Sequence, residues 1–390
     1  MAALRAPGMN IQSSPGAARI ATSALFFANG AGAANWVVRI PAVQDRLNLS
    51  TGALGAALLC IALGSLVAMP LTGLLVARAG SKAVSRAAAL VFFLALPLPA
   101  LAPDFPLFVI ALLIFGATTG SLDVSMNSQG VTVELQYGRP IMSSYHALFS
   151  LGGLVGAAAG GVIAGWGVAP GPHLVGAAVV LGVCALGISH WMLGAHADVV
   201  KHGPMFARPT QALAALGVVA FCVLMGEGAV SDWSAIYLKR IVGTGPGLAA
   251  AGFAVFSLTM AFGRLGGDYL VNRVGPMVPV RVGGVVSATG VILAVLVPWP
   301  VSVLAGFALI GLGFSFVFPV VVSAAARTPG MPASVAIAAI STTGYFGFLV
   351  GPPLIGLTAE IVGLRAALLI VAMLAVLIAI FGRAVEHAPA

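Results

Sequence analysis

The segment VLMGEGAVSDW (223–233) places two carboxyls, Glu227 and Asp232, in a chain with only ten acids among 390 residues. No base stands between them, and the residues around them are apolar. A carboxylate in such surroundings is expensive to keep charged. It can take up and release a proton, hold a cation, or be neutralised by a base from elsewhere. Asp123 and Asn127 raise the same question. Their i, i+4 spacing puts them on one helical face, where they could form a second proton site or an inner gate. Arg264 and Asp268 are spaced likewise and could neutralise each other. His146 is a lone candidate for proton traffic. Asn29 and Asn35 could hydrogen-bond a solute's hydroxyls. Asn35-Trp36 is echoed by Asp232-Trp233, so the two Trp could cap a cavity, and Tyr345 could face it.

Those groups need a scaffold, and the composition names its solvent. Hydrophobic residues make up 60% of the chain and charged ones 7%, with a mean hydropathy of +1.09. So few charges cannot solvate a water-soluble protein of this length, and lipid is the alternative. The formal charge of +8 has no basic face behind it, which argues against nucleic acid. Cys60, Cys184 and Cys222 lie singly in apolar runs, so no metal site or disulfide framework is expected. Runs bounded by charge, Pro and Gly predict twelve membrane spans, from about 20–40 to about 365–384, with a seventh at about 210–236. An all-α integral membrane protein follows. With the N-terminus in the cytoplasm, most bases fall on that side, among them Arg5, Arg78, Lys82, Arg139, Lys201, Arg208, Arg273 and Arg327. Arg39, Arg46, Lys239, Arg240 and Arg365 fall outside. The bias predicts both termini inside.

The chain also repeats itself. GLLVARAG (73–80) aligns with DYLVNRVG (268–275), and GGLVGAAAGG (152–161) aligns at the same 195-residue offset with GFLVGPPLIG (347–356). Gly116 meets Gly311 at that offset too. This predicts two pseudo-symmetric six-helix halves, 1–193 and 210–390, joined by a polar linker at 194–209. Gly152, Gly156, Gly160, Gly347 and Gly351 would let helices of opposite halves slide in close contact, and Pro352-Pro353 would bend the eleventh span. Gly226 and Gly228 would interrupt the helix around Glu227.

A basic Gly-containing turn after span two, its repeat after span eight and the glycine ladders resemble the major facilitator superfamily along the whole chain. Gly73, Leu75, Arg78, Gly80 and Lys82 match the family's span-two turn, with Ala77 where the family has Asp. Gly152, Gly156, Gly160 and Gly161 match the span-five antiporter pattern, with Ala157 in place of Pro. NWVVRIPAVQDRLNLS (35–50), SLDVSMNSQGVTVE (121–134), GRPIMSSYHALFSLGGLVGA (138–157) and EGAVSDWSAIYL (227–238) are similar to a poorly characterised bacterial inner-membrane branch related to sugar-permease-like members. The resemblance implies a monomeric secondary transporter in the bacterial cytoplasmic membrane, with spans 1, 4, 7 and 10 around a central cavity.

The expected function is alternating-access transport of a small organic solute, energised by a proton gradient and needing no cofactor. Glu227 and Asp123 are the proton-coupling candidates. Asn29, Asn35, Trp36, Asn127, Trp233 and Tyr345 are the solute-binding candidates. Arg78, Lys82, Asp232, Arg264, Asp268, Arg273, Gly152, Gly156 and Gly351 are the gating candidates, with Asp232 at the outer rim beside Lys239 and Arg240. Export of amphiphilic or cationic compounds fits the antiporter-like glycines, and uptake of a sugar-like solute by symport fits the amides and Trp. A non-transporting scaffold or receptor would gain little from an intramembrane acid. No nucleophile–base motif or nucleotide-binding loop stands out, which argues against an enzyme or an ATP-driven pump.

Overall fold

The structure, a computed structural model, describes residues 14–138, 141–195, 211–328 and 333–386. It is helical from end to end. The N-terminal part runs α1 (Pro15–Val37), α2 (Ile40–Arg46), α3 (Thr51–Ala79), α4 (Ser81–Ala95), α5 (Leu98–Leu101), α6 (Phe105–Tyr137), α7 (Met142–Gly165) and α8 (Pro170–Ile188). The C-terminal part runs α9 (Gln211–Arg240), α10 (Pro246–Val274), α11 (Met277–Leu296), α12 (Pro300–Phe314), α13 (Val317–Ala326), α14 (Ala333–Val362), α15 (Leu364–Ala367) and α16 (Leu369–Phe381). The helices start where the sequence places caps. Ser14, Ser50 and Asp104 each accept from the backbone three residues on, and proline opens α1, α8, α10 and α12. Glu134 caps α7 from the preceding helix, accepting from the amides of Ile141 and Met142 at 2.6 and 2.8 Å.

Eleven candidate spans among the described residues are long and apolar enough to cross a membrane, where the sequence predicted twelve. The difference is α1. It has the length, about 35 Å at 1.5 Å per residue, but Asn29, Asn35 and its glycines lower its apolarity. It packs against α6, α7 and α8, so its polar positions meet protein rather than lipid. From residue 196 onward the expected linker lies outside the described residues.

The repeat is visible in the contacts. Gly80 and Gly275 end α3 and α10 with φ of 84° and 79°. Each also has an extended ψ, a region open to glycine almost alone. A side chain at Gly116 would overlap the backbone of Ile61 on α3, and one at Gly311 the carbonyl of Phe256 on α10. Gly152 lies on the carbonyl of Phe27, and Gly347 on that of Phe221. This corrects the expectation that the ladder glycines join opposite parts of the chain. Gly152 and Gly156 press α7 onto α1 at Phe27 and Ala31. Gly347 and Gly351 press α14 onto Phe221 and Met225 of α9. The reason is the helix period. The contact with the other part is made from a different face of the same helices, by Gly153 and Gly161 on α7 and by Gly356 on α14.

The expected break at Gly226 and Gly228 is absent, and α9 is continuous. Those glycines make room for two rings, Phe314 against Gly226 and Phe348 against Gly228. Pro352 and Pro353 likewise sit inside a continuous α14.

If backbone approach at Gly116 holds α3 on α6, Gly116→Val lowers the melting temperature of the detergent-solubilised protein markedly. Overpacking costs about 1–3 kcal/mol or more. Gly176→Ala, at a position with nothing within 4 Å, leaves the melting temperature within a degree or two.

Candidate functional site

α9 carries the site, and burial shows which of its faces matters. From Cys222 to Leu238 every residue is buried except Glu227, Ser231 and Asp232. All three are polar, and they lie within Leu213–Arg240, a candidate span that is 72% buried. The accessible strip therefore faces an internal space rather than lipid. Glu227 stands about 20 Å, and Asp232 about 12 Å, from the Arg240 end of the helix.

Glu227 is paired. Its Oε2 lies 3.6 Å from Nη2 of Arg264 on α10. The Nη1 of Arg264 donates to Ser150 Oγ on α7 at 2.9 Å, so one guanidinium ties the C-terminal part to the N-terminal part. Oε1 of Glu227 and Nε of Arg264 have no hydrogen-bond partner among the described residues. His146 lies one turn from Ser150 on α7, its ring edge-on to Phe26 at 5.4 Å. Arg264 pairs with Glu227; the expected Arg264–Asp268 pair falls on a side chain, that of Asp268, outside the described residues.

A second polar contact crosses between the parts at α6 and α14. Tyr345 donates to Asp123 Oδ2 at 3.1 Å. Asn127 donates to Oδ1 of the same carboxyl at 3.1 Å and to its backbone carbonyl at 2.8 Å. Asp123 is thus held by neutral donors and not by Arg78 or Lys82. Lys82 donates to the carbonyl of His190 at 2.6 Å, Arg78 is exposed, and Arg273 donates to Tyr269 at 2.9 Å. These bases make no gate across the two parts among the described residues.

Four of the other residues expected to bind solute are buried in this conformation. Trp36 is buried among Phe108 and Phe115 of α6, and Trp233 is completely buried. Asn29 is buried with its amide on Met126 Sδ at 3.7 Å, and Asn35 returns its amide to the carbonyl of Ala31. An Asn-Trp or Asp-Trp pair aims its two side chains about 100° apart on a helix, so a strip residue sends the adjacent Trp into the core.

The end of the bundle that carries α2 is closed. Asp45 accepts from both Lys239 and Arg240 at the end of α9, so these bases do not neutralise Asp232. Asp232 and Ser231 make no hydrogen bond or ion pair among the described residues. Glu360, at the end of α14, accepts from the amide of Gly52 at 2.5 Å in the first turn of α3. Below it, Gly55 meets the carbonyl of Pro352 and Gly356, and Gly161 meets Gly247 and Ala250. Towards the opposite end, α3 and α10 are largely exposed over 73–79 and 265–274. A Cβ on Gly73 of α3 or Gly266 of α10 would meet nothing within 4 Å. An apolar cleft of about 590 Å³ between α9, α14 and α16, lined by Phe221, Met225, Thr343 and Met373, carries none of these titratable groups.

This bundle, open at one end with its polar groups inside, has known counterparts. The family model of the Major Facilitator Superfamily matches residues 21–335. The chain belongs to the major facilitator superfamily. An uncharacterized MFS-type transporter of Yersinia pestis is 38% identical over 369 residues, 95% of this chain and 96% of the relative. The membrane protein MosC of Rhizobium meliloti is 33% identical, covering 96% and 92% respectively. Among solved structures, a bacterial homolog of the human lysosomal transporter Spinster, inward-facing and unoccupied, superposes with a TM-score of 0.78. It is 14% identical and covers 96% of this chain and 97% of that one. The nucleoside transporter NupG gives 0.69 at 14% identity, over 95% and 99%. These structures share the fold.

Within this family fold, Asp45, Glu360, Ser150 and the pair Arg39–His173 were missed by sequence reasoning. Arg39 is buried rather than displayed, its Nε on His173 Nδ1 at 2.7 Å. One signal existed for Asp45. Its partner Arg240 is 195 residues away, the offset of the repeat, so equivalent positions of the two parts carry opposite charges. Ser150 and Glu360 had no such mark.

The one-ended closure is testable by cross-linking with the native cysteines replaced by serine. Asp45→Cys with Lys239→Cys reacts rapidly with a short thiol-specific linker. Arg78→Cys with Arg273→Cys, at the open end, reacts at least several-fold more slowly. Asp45→Asn alone loosens the closed end by about two- to five-fold in population, because an exposed ion pair contributes about 0.5–1 kcal/mol.

Proposed function

We propose that the protein is a proton-coupled secondary transporter that moves a small organic solute by alternating access, with a lean towards export. The α2 end faces the outside on this reading, as the distribution of bases suggests, and both termini are cytoplasmic. The two parts are the halves that rock, with 194–209 as their connection. The observation that carries the reading is Arg264, held at once by Glu227 of its own half and Ser150 of the other.

An intramembrane ion pair of this kind responds to a proton. When Glu227 is charged, it fixes Arg264 in the seam between α7 and α10. When a proton neutralises Glu227, that attraction is lost, and the guanidinium is free to leave Ser150 as the helices part. The unpartnered Oε1 is where the proton would be received. Asp123 is the second coupling candidate, because its contact with Tyr345 also spans the halves and weakens as an acceptor once protonated. Such an arrangement supports exchange of a proton for solute across one membrane, the antiport mode.

The burial of Trp36 and Trp233 removes the aromatic platform on which sugar uptake would rest. The strip on α9 instead offers carboxyls and a hydroxyl. No resident cofactor enters the scheme, and the proton gradient supplies the work.

The test needs no solute. Spin labels on Gly73→Cys and Gly266→Cys, in a protein lacking native cysteines, report the width of the open end by pulsed electron resonance. In the otherwise native protein the distance distribution shifts with pH as Glu227 gains or loses its proton. With Glu227→Gln it is the same at every pH. A pH response that survives this substitution intact rules out Glu227 as the coupling group.

A further inference from the structure

We infer that the solute is an organic cation, and that Asp232 with Ser231 forms the subsite for its charged nitrogen. The inference rests on the transport reading and names the substrate class of that same cavity.

Three observations point to it. First, Ser231 and Asp232 sit on the only accessible strip of α9 between Cys222 and Leu238, so a molecule in the internal space meets them directly. Second, neither has a partner among the described residues. The bases that proximity in sequence would assign to Asp232 are both held by Asp45, and Arg264 is held by Glu227 and Ser150. A carboxyl inside a membrane span is normally paired or functional, and Asp232 is not paired. Third, the charges around the space are unbalanced. Asp123 is met by Tyr345 and Asn127, both neutral, so of the three acids only Glu227 faces a base among the described ion pairs.

The chemistry follows from that inventory. A carboxylate with an adjacent hydroxyl accepts hydrogen bonds from an ammonium or meets the diffuse charge of a quaternary centre. It gives an anion nothing, and it offers a neutral sugar a single charged acceptor at a high desolvation cost. Asp232 would thereby hold the solute about 7.5 Å along the axis from the proton site and on a different side of the helix, so that solute and proton use separate carboxyls.

The experiment measures binding to the purified full-length protein in lipid nanodiscs, using tetraphenylphosphonium and tetramethylammonium as cations and uridine as a neutral control. Saturable binding of at least one cation to the native protein is expected, with no displacement by uridine. Asp232→Asn should weaken that binding at least tenfold, Ser231→Ala a few-fold, and Asp232→Glu should retain most of it, which separates lost charge from lost folding. The idea is overturned if neither cation binds the native protein, if uridine binds in their place, or if Asp232→Asn binds as tightly as the native chain. The pH response of the labels at positions 73 and 266 is read without any cation. Failure here with a normal response there would sink the cation subsite and leave proton-coupled transport standing.

Discussion

Everything in this molecule depends on backbone meeting backbone in two seams, α3 against α14 and α7 against α10. Glycine makes that approach possible, because a Cβ at Gly55 would stand 2.7 Å from the carbonyl of Pro352. The two seams are equivalent under the 195-residue offset. Gly55 on Gly356 corresponds to Ala250 on Gly161, and Gly52 under Glu360 corresponds to Gly247 beside Gly165. Both seams are tight at the α2 end and absent around Gly73 and Gly266. Helix pairs pinned at one end and free at the other are geometrically prepared to rock. Packing of this kind also suits lipid, where van der Waals contact replaces the hydrophobic drive between helices.

The frame is symmetric and the chemistry on it is not. Ser150 and Tyr345 are 195 residues apart, and each makes a polar contact with the other part, one to Arg264 on α10 and one to Asp123 on α6. The residues they meet have no counterparts. The position equivalent to Arg264 is Met69, and that equivalent to Asp123 is Phe318. One contact therefore involves the guanidinium of an ion pair and the other a neutral donor on a carboxyl. Breaking the first by removing one partner leaves a charge stranded in a low dielectric, which is far costlier than loss of a hydrogen bond. This asymmetry is why Glu227, rather than Asp123, is the stronger candidate for the step that lets the halves move.

The fold was largely legible because its signals are long and redundant. Apolar runs, capping residues and two glycine motifs at one offset all point to the same bundle. α1 escaped the apolarity measure for the reason that makes it central, since a helix covered by protein need not be apolar. The site was less legible because contacts across seams have no local signature. Nothing near residue 227 indicates that its partner is Arg264, and the i, i+4 rule pointed to Asp268 instead. Nor could Lys239 and Arg240 be removed from Asp232 without seeing Asp45. Side-chain direction was the other missing quantity. The glycine ladders, Asn35, Trp36 and Trp233 were read as cavity or interface faces when their helical phase turns them inward.

The closed end and the proposed solute site are linked by the same two bases. While Asp45 holds Lys239 and Arg240, it offsets one of their two positive charges. Parting α2 from α9 leaves those cations unpaired two helical turns from Asp232, about 10 Å along the axis. At an effective dielectric near 20, loss of the one compensating carboxylate would oppose a bound monovalent cation by at most about 1.7 kcal/mol, and by less once solvent screens groups as exposed as these. The site would then be strongest when the α2 end is shut and the other end is open, and weakest when the α2 end opens. For a cation this difference in affinity favours capture from the open end and discharge at the α2 end.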